Sequence, residues 1–441
     1  MKRAWIKKVL SVGVATVMCV GMLAGCGSTE KTESASSSES SDAEDGGSSD
    51  GQITLKFVTK IPEDNRQKCM KEIIASFEES HPNIKIEQTA YGDEEIKDKL
   101  KVLLGGDDKP DIYFTWSGER LQGYIDEDLA VDLTKYLDDD AEWKDNFNQS
   151  MLETCNKEGS YYAVPWDYSS KVFFYNKEVF DACGITTAPT TWDEFLADCE
   201  IIKNAGYTPI AIGNQYPWVV CHWITTLNQK LVPADVLEAN YNGENADFSD
   251  PGYAQALNML KELLDKGYIN SDVNSCTYEM SQSMVLEGKA GMIYDETQIM
   301  SKYDENAFGT FDFPEIEGEA GEAGYVTGGP DLYCVNTSCE YPDEAVEFLK
   351  YLTSVEAQQK IVKDIQFMPV VDGAATEETA TANAISIINK NQEAPGVAEW
   401  LDCVLNQTVA NEYLVACQEI FNGTSAEDLM QSISDVASGE Y

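Results

Sequence analysis

Aromatic side chains recur beside carboxylates along this chain of 441 residues. Trp116 stands three residues before Glu119, Trp166 adjoins Asp167, Tyr294 adjoins Asp295, and Trp400 stands two residues before Asp402. Trp218 and Trp223 follow Gly213-Asn214, Asp331 follows Gly328-Gly329-Pro330, and Asp64 belongs to the loop after the first predicted strand. Together these residue types suit a carbohydrate. Indole and phenol rings stack on the apolar C–H faces of a pyranose, while Asp, Asn or Arg satisfies its hydroxyls in fixed directions, and such a site rejects analogues that lack them. Each residue also has a plainer role open to it. Trp116 could be core, Trp143 and Trp192 read as packing, the aspartates could be solvated turn residues, and Gly328-Gly329 could serve only a tight turn.

Two other chemistries fit the same residues. Paired cleft carboxylates also describe a glycosidase, whose two carboxyls stand ~5 or ~6.5 to 9.5 Å apart. No nucleophile motif, metal set or histidine constellation accompanies them, so no catalytic residue and no cofactor is expected. A receptor for peptides or amino acids would need a cation for the ligand's carboxylate, and Arg120 and Lys171 are lone candidates. His81 and His222, the two histidines, are far apart, so no metal site is expected.

Residues so scattered need a scaffold that gathers them. Strands are predicted at Ile53 to Thr59, Ile84 to Thr89, Asp111 to Thr115, Val172 to Tyr175, Tyr207 to Ile212, Gly291 to Tyr294, Phe308 to Phe313 and Tyr333 to Val335. Between several of them run helical patterns, such as Met70, Ile73, Ile74 and Phe77, or Leu257, Leu260, Leu263 and Leu264. Thr191 and Glu194 form a predicted capping box, and Asp250-Pro251 opens a long helix. Trp218 and Trp223 read as loop residues. Alternating strands and helices predict α/β sheets, mainly parallel and flanked by helices. Two such sheets leave a cleft, and ligands bind beyond the carboxyl ends of the strands, where the residues named above fall.

The composition agrees with a large globular body. Hydrophobic residues make up 43% of the chain, and the formal net charge is -46. That acid excess argues against nucleic-acid binding. Ten cysteines follow residue 26 without a C-x-x-C pair. They are expected to pack as small hydrophobes, which hints at a poorly oxidising habitat.

The first 25 residues place Lys2, Arg3, Lys7 and Lys8 before an uncharged apolar run, the layout of a cleavable export signal. Leu23-Ala24-Gly25-Cys26 resembles the lipobox of bacterial lipoproteins, which implies lipidation of Cys26. Residues 27 to 51 hold nine serines and seven acids, a predicted disordered linker that follows Cys26.

The body carries a further resemblance. PDIYFTWSGERLQGYIDEDLAVDLT, YAVPWDYSSKVFFYNKEVFDACGITTAPTTWDEF, GYTPIAIGN, ALNMLKELLDKGYI, LEGKAGMIYDE and AVEFLKYLTSVEAQQKIV are similar, in that order, to the family 1 extracellular solute-binding proteins of ABC sugar importers. The resemblance implies a periplasmic-binding-protein-like fold of two α/β lobes joined by hinge strands. Lobe one would be residues 52–165 plus 325–372, and lobe two 166–324 plus 373–441. It implies ligand contacts near Asp64, Trp116, Glu119, Asp167, Trp218, Asp295 and Asp331. Trp400 and Asp402 resemble the C-terminal pair of the oligosaccharide-binding branch, and Trp223 is added on its position after a strand. Tyr294-Asp295-Glu296 departs from the glycine and tryptophan common in the family there. The implied role is a monomeric, lipid-anchored receptor on the outer face of the cytoplasmic membrane. It would capture an oligosaccharide by hinge closure and pass it to the transmembrane subunits of an ABC permease.

Overall fold

Strand β1 (Ile53–Thr59) alternates buried and more exposed residues at its start and is wholly buried at its end. It forms the centre of a parallel trio, with β2 (Ile84–Ala90) on one side and β3 (Ile112–Trp116) on the other. The computed structural model describes residues 51–242, 246–318 and 320–439. The predicted export signal, Cys26 and nearly all of the predicted linker lie outside the described residues.

After β3 the chain makes a two-stranded hairpin of β4 (Asn156–Lys157) and β5 (Ser160–Tyr161), then the long β6 (Val164–Asn176). Next come β7 (Thr208–Ile210), β8 (Ala290–Glu296), β9 (Phe308–Phe311), β10 (Val326–Val335) and the short β11 (Val397–Ala398). The main sheet runs β2-β1-β3-β10-β6-β8-β7, with β9 pairing β6 and β11 pairing β10. Its outer pairs β1-β2, β1-β3 and β7-β8 are parallel, whereas β10 and β6 run antiparallel to their neighbours in the middle.

Strands β6 and β10 are longer than their apolar runs predict. Asp167, Ser169, Ser170 and Lys171 interrupt the pattern of β6, yet all are buried within it. In β10, Gly328-Gly329-Pro330-Asp331 reads as a turn but pairs with Asp167 to Ser170. A register shift after Asp331 marks a bulge, the setting in which a sheet interior tolerates proline. These polar insertions lie side by side in the middle of the sheet, at the junction of its two halves.

Two cores flank that junction. One gathers Phe57, Phe77, Phe114, Tyr333 and Phe348, and continues across to Ile293, Met300 and Tyr303. The other gathers Phe173, Trp223, Leu260, Phe313 and Tyr413. Strand β6 feeds both, with Trp166 in the first and Phe173 in the second. Thr191 caps its helix with Glu194 in the predicted capping box, and Asp250 caps the helix Pro251–Asp265. The ten described cysteines are free thiols, eight of them buried. No helix among the described residues is long and apolar enough to cross a membrane.

Candidate functional site

The strand ends place one set of polar side chains around a common gap. Lys60 follows β1, Trp116 ends β3, Asp331 lies in β10, and Glu296 ends β8 ahead of Gln298. Asp93 and Lys97 come from the helix Asp93–Gly105, and Arg120 from the helix Glu119–Asp126. Trp218 and His222 stand one turn apart on the helix Trp218–Leu231, and Trp400 and Asp402 lie at the start of the short helix Leu401–Val404. The gap they enclose measures about 30 Å³, room for a water molecule. It adjoins a cavity of about 520 Å³ that shares Lys60, Asp93, Trp218, Glu296 and Gln298.

Gly118 makes the close approach possible. Its φ is +68°, and a Cβ there would stand 2.6 Å from the carbonyl oxygen of Cys403. Only glycine lets the turn after Trp116 press against the segment that carries Asp402. Gly329 does similar work: a Cβ on it would come within 3.1 Å of the Trp400 indole nitrogen.

An ion-pair chain runs along one wall. Lys60 Nζ lies 3.0 Å from Asp331 and 3.6 Å from Asp93, and Lys97 Nζ lies 3.4 Å from Asp93 and 2.8 Å from Glu94. Burial opposes charge on Lys60, but Asp331, Asp93, Glu296 and Asp167 together hold its pKa above the ordinary lysine value. Burial likewise acts on Asp93, and Lys60 with Lys97 overrides it, holding the carboxyl below its usual range.

Gln298 ties the junction strands together. Its Nε2 donates to Asp167 at 2.9 Å and to Asp331 at 2.8 Å, while its backbone oxygen accepts from Arg66 at 2.8 Å. Burial and the adjacent Asp331 push Asp167 well above the usual carboxylate range.

On the opposite wall the aromatic rings stack on one another. Trp400 lies on His222 with centroids 4.1 Å apart and planes 23° apart, and Trp218 packs 4.9 Å from Tyr278. Lys97 Nζ lies 5.8 Å from the Trp116 ring centre and 6.0 Å from that of Trp218, and the Arg120 guanidinium lies 5.1 Å over Trp116. His222 stands 3.5 Å from Glu296 and 3.7 Å from Asp402, too far for strong hydrogen bonds. Burial lowers the His222 pKa, although Asp402 and Glu296 oppose the shift. Burial would raise Asp402, but His222, Arg120 and Lys97 hold it at about 2. Five buried polar atoms of the gap have no hydrogen-bond partner among the described residues: Arg120 Nε, Ser169 Oγ, Trp218 Nε1, His222 Nδ1 and Asp402 Oδ1.

Of the residues singled out by sequence, Trp116, Trp218, Asp331, Trp400 and Asp402 line the gap. Asp167 lies directly behind it, held by Gln298. Asp295 is sealed in the wall, accepting from Tyr278 at 2.6 Å, Gln282 at 3.1 Å and the Glu296 amide at 2.8 Å. Asp64 and Glu119 are exposed first residues of helices, and neither lines the gap. Trp223 belongs to the core, 5.4 Å from Phe173 and 5.1 Å from Tyr294. The predicted loop at Trp218 is a helix, and five residues along it turn about 140°, so Trp223 faces away from Trp218. Four residues turn about 40°, which brings His222 onto the Trp218 face. Helical spacing was the signal that could have found His222, and position directly after β1 the signal for Lys60.

A two-lobed α/β body with a polar and aromatic gap at its strand ends defines a protein of the class that takes ligand between lobes. The chain belongs to the bacterial extracellular solute-binding proteins, whose family model matches residues 63–359. A multiple sugar-binding protein of Streptococcus mutans is 24% identical over 396 residues, 85% of this chain and 84% of that protein. The diacetylchitobiose binding protein DasA of Streptomyces coelicolor is 23% identical over 351 residues, 77% of this chain and 78% of that one. A solved chitin oligosaccharide binding protein superposes with a TM-score of 0.80 at 23% identity, covering 88% of this chain and 99% of that one.

Proposed function

We propose that this protein is the carbohydrate-capturing component of an ABC importer and that its ligand is a neutral oligosaccharide. The observation that carries the reading is the set of unpartnered groups on Arg120, Ser169, Trp218, His222 and Asp402 beside the rings of Trp116, Trp218 and Trp400. Such buried donors and acceptors are costly unless something completes them, and sugar hydroxyls offer both roles at once. Around the gap Lys60, Lys97 and Arg120 nearly balance Asp93, Glu296, Asp331 and Asp402, which favours a ligand without net charge. The adjoining cavity gives a chain of sugars somewhere to extend. The names of the relatives point the same way, and the family's binding role speaks against an enzyme.

The gap has room for only about one water, so the lobes must part to admit a pyranose and close on it. We assign residues 52–165 with 325–372 to one lobe and 166–324 with 373–441 to the other, with β6 and β10 as the flexing connection. Contacts made to both lobes only in the closed state would drive closure. We further assign residues 1–25 to an export signal and Cys26 to lipid attachment, leaving a monomeric receptor tethered at the membrane beside its permease.

Titration calorimetry with neutral di- to tetrasaccharides tests the reading, and saturable heat is expected from at least one. No heat from any of them, with heat from peptides instead, rejects it. Cleavage products after long incubation with a bound oligosaccharide would favour a glycosidase.

A further inference from the structure

A second cavity, of about 300 Å³, shares no lining residue with the cleft or the space adjoining it. Its size lies at the lower end of the range for small-molecule sites, ~300–1,000 Å³. Lys171 of β6, Thr226, Tyr294 of β8 and Thr327 of β10 line it, together with Phe313 and Tyr325.

The charges of this cavity are arranged by depth. Asp312, Glu315 and Glu393 are exposed, and the first two each have a lysine: Lys390 lies 2.5 Å from Asp312, and Lys230 lies 3.2 Å from Glu315. Lys171 differs from them. It is 4% exposed, and among the described residues its ammonium has no hydrogen-bond partner. Asp295, the carboxylate that feels it most, commits its oxygens to Tyr278, Gln282 and the Glu296 amide. The nearby hydroxyls are also engaged with one another, Thr226 to Tyr294 at 2.8 Å and Thr226 to Thr327 at 2.7 Å. A buried ammonium that no acceptor completes is costly, and among the described residues this one has no acceptor within hydrogen-bond distance, while its side chain borders a space large enough to hold one.

We propose that this cavity is a second binding site, specific for a small organic monocarboxylate whose carboxylate pairs with Lys171 and whose apolar body lies against Phe313 and Tyr325. Lys230 is as deep but has Glu315, so one deep cation, Lys171, is left to call for one negative charge. The aromatic walls favour an organic body over a bare inorganic ion. Lys171 Nζ lies 5.8 Å from the ring centres of both Tyr294 and Trp218, so it stands between this cavity and the cleft. Occupancy of one site therefore bears on the other, and by linkage the influence is mutual.

Benzoate is the probe. At constant ionic strength the melting temperature of the full chain should rise with benzoate concentration and level off in slope as a single-site curve. Benzamide, which has the same shape and no charge, should bind at least about tenfold more weakly. Lys171→Met should abolish the benzoate effect, whereas Trp116→Phe, altered only in the cleft, should retain it. No benzoate-dependent shift in the wild-type chain, equal binding of benzamide, or an undiminished shift in Lys171→Met would overturn the proposal. Should Lys171→Met fail to fold, the comparison of benzoate with benzamide decides the matter on the wild-type chain.

Discussion

Asp167 and Asp402 are both buried carboxylates, and their surroundings drive them in opposite directions. Asp402 is held at about 2 because His222, Arg120 and Lys97 outweigh its burial. A carboxyl depressed in the folded state contributes stability that is present above its unfolded value, ~3.9, and is lost as pH falls toward the folded value. Asp402→Asn should therefore lower stability by about 2 kcal/mol at pH 7 and by much less at pH 2, as measured by urea unfolding at the two pH values. Asp167 is raised by burial and by Asp331, so its ionised form is the disfavoured one. Relative to asparagine its cost is absent below the unfolded value and grows as pH rises through the folded value. Asp167→Asn should raise the melting temperature at pH 7 and leave it nearly unchanged at pH 3. The same sign of effect from both substitutions at pH 7 would show that the Gln298 contacts, not the charge, dominate at Asp167.

At the scale of elements, the turn after β3 and the helix start at Thr191 make a useful pair. Gly118→Ala adds a Cβ 2.6 Å from the Cys403 carbonyl oxygen at a φ of +68°, so the segment bearing Trp400 and Asp402 must move away from Trp116. Loss of oligosaccharide affinity should exceed tenfold, with a stability cost of about 1–2 kcal/mol. Thr191→Ala breaks a capping box remote from the gap, should cost about 1 kcal/mol, and should leave affinity unchanged. Calorimetry beside thermal melting separates the two. What the sequence made legible follows the same division. Elements with one buried face, such as β1, or with a local cap, such as the helix after Thr191, declare themselves because neighbours in sequence decide them. Strands β6 and β10 did not, because Asp167 to Lys171 and Gly328 to Asp331 are polar or glycine-rich residues buried by contacts from distant segments. The site shows the same limit: tryptophans and aspartates stand out by type, whereas Lys60, Lys97, His222 and Gln298 acquire their roles only from what faces them.

For the molecule as a whole, the question is what holds the proposed lobes together when ligand is absent. Gln298 is the residue best placed to do so, since it follows β8 and reaches β6 through Asp167, β10 through Asp331, and the first helix through Arg66. Those bonds cross the junction, and two of them engage carboxylates that would otherwise face each other with less compensation. Gln298→Ala keeps the backbone oxygen that accepts from Arg66 but removes the donor shared by Asp167 and Asp331. The junction then loses the bridge between β6 and β10 and should favour a more open state, so the unliganded variant should show a larger radius of gyration by X-ray scattering than the wild-type chain. Ligand must then supply the closing free energy that Gln298 supplied, and affinity should fall by about tenfold, the equivalent of about 1.4 kcal/mol from hydrogen bonds to charged groups. Saturating oligosaccharide should restore the wild-type radius, because the ligand contacts both lobes whether or not the glutamine is present. An unchanged radius in the unliganded variant would assign Gln298 to local packing and leave closure to the ion pairs of Lys60 and Lys97.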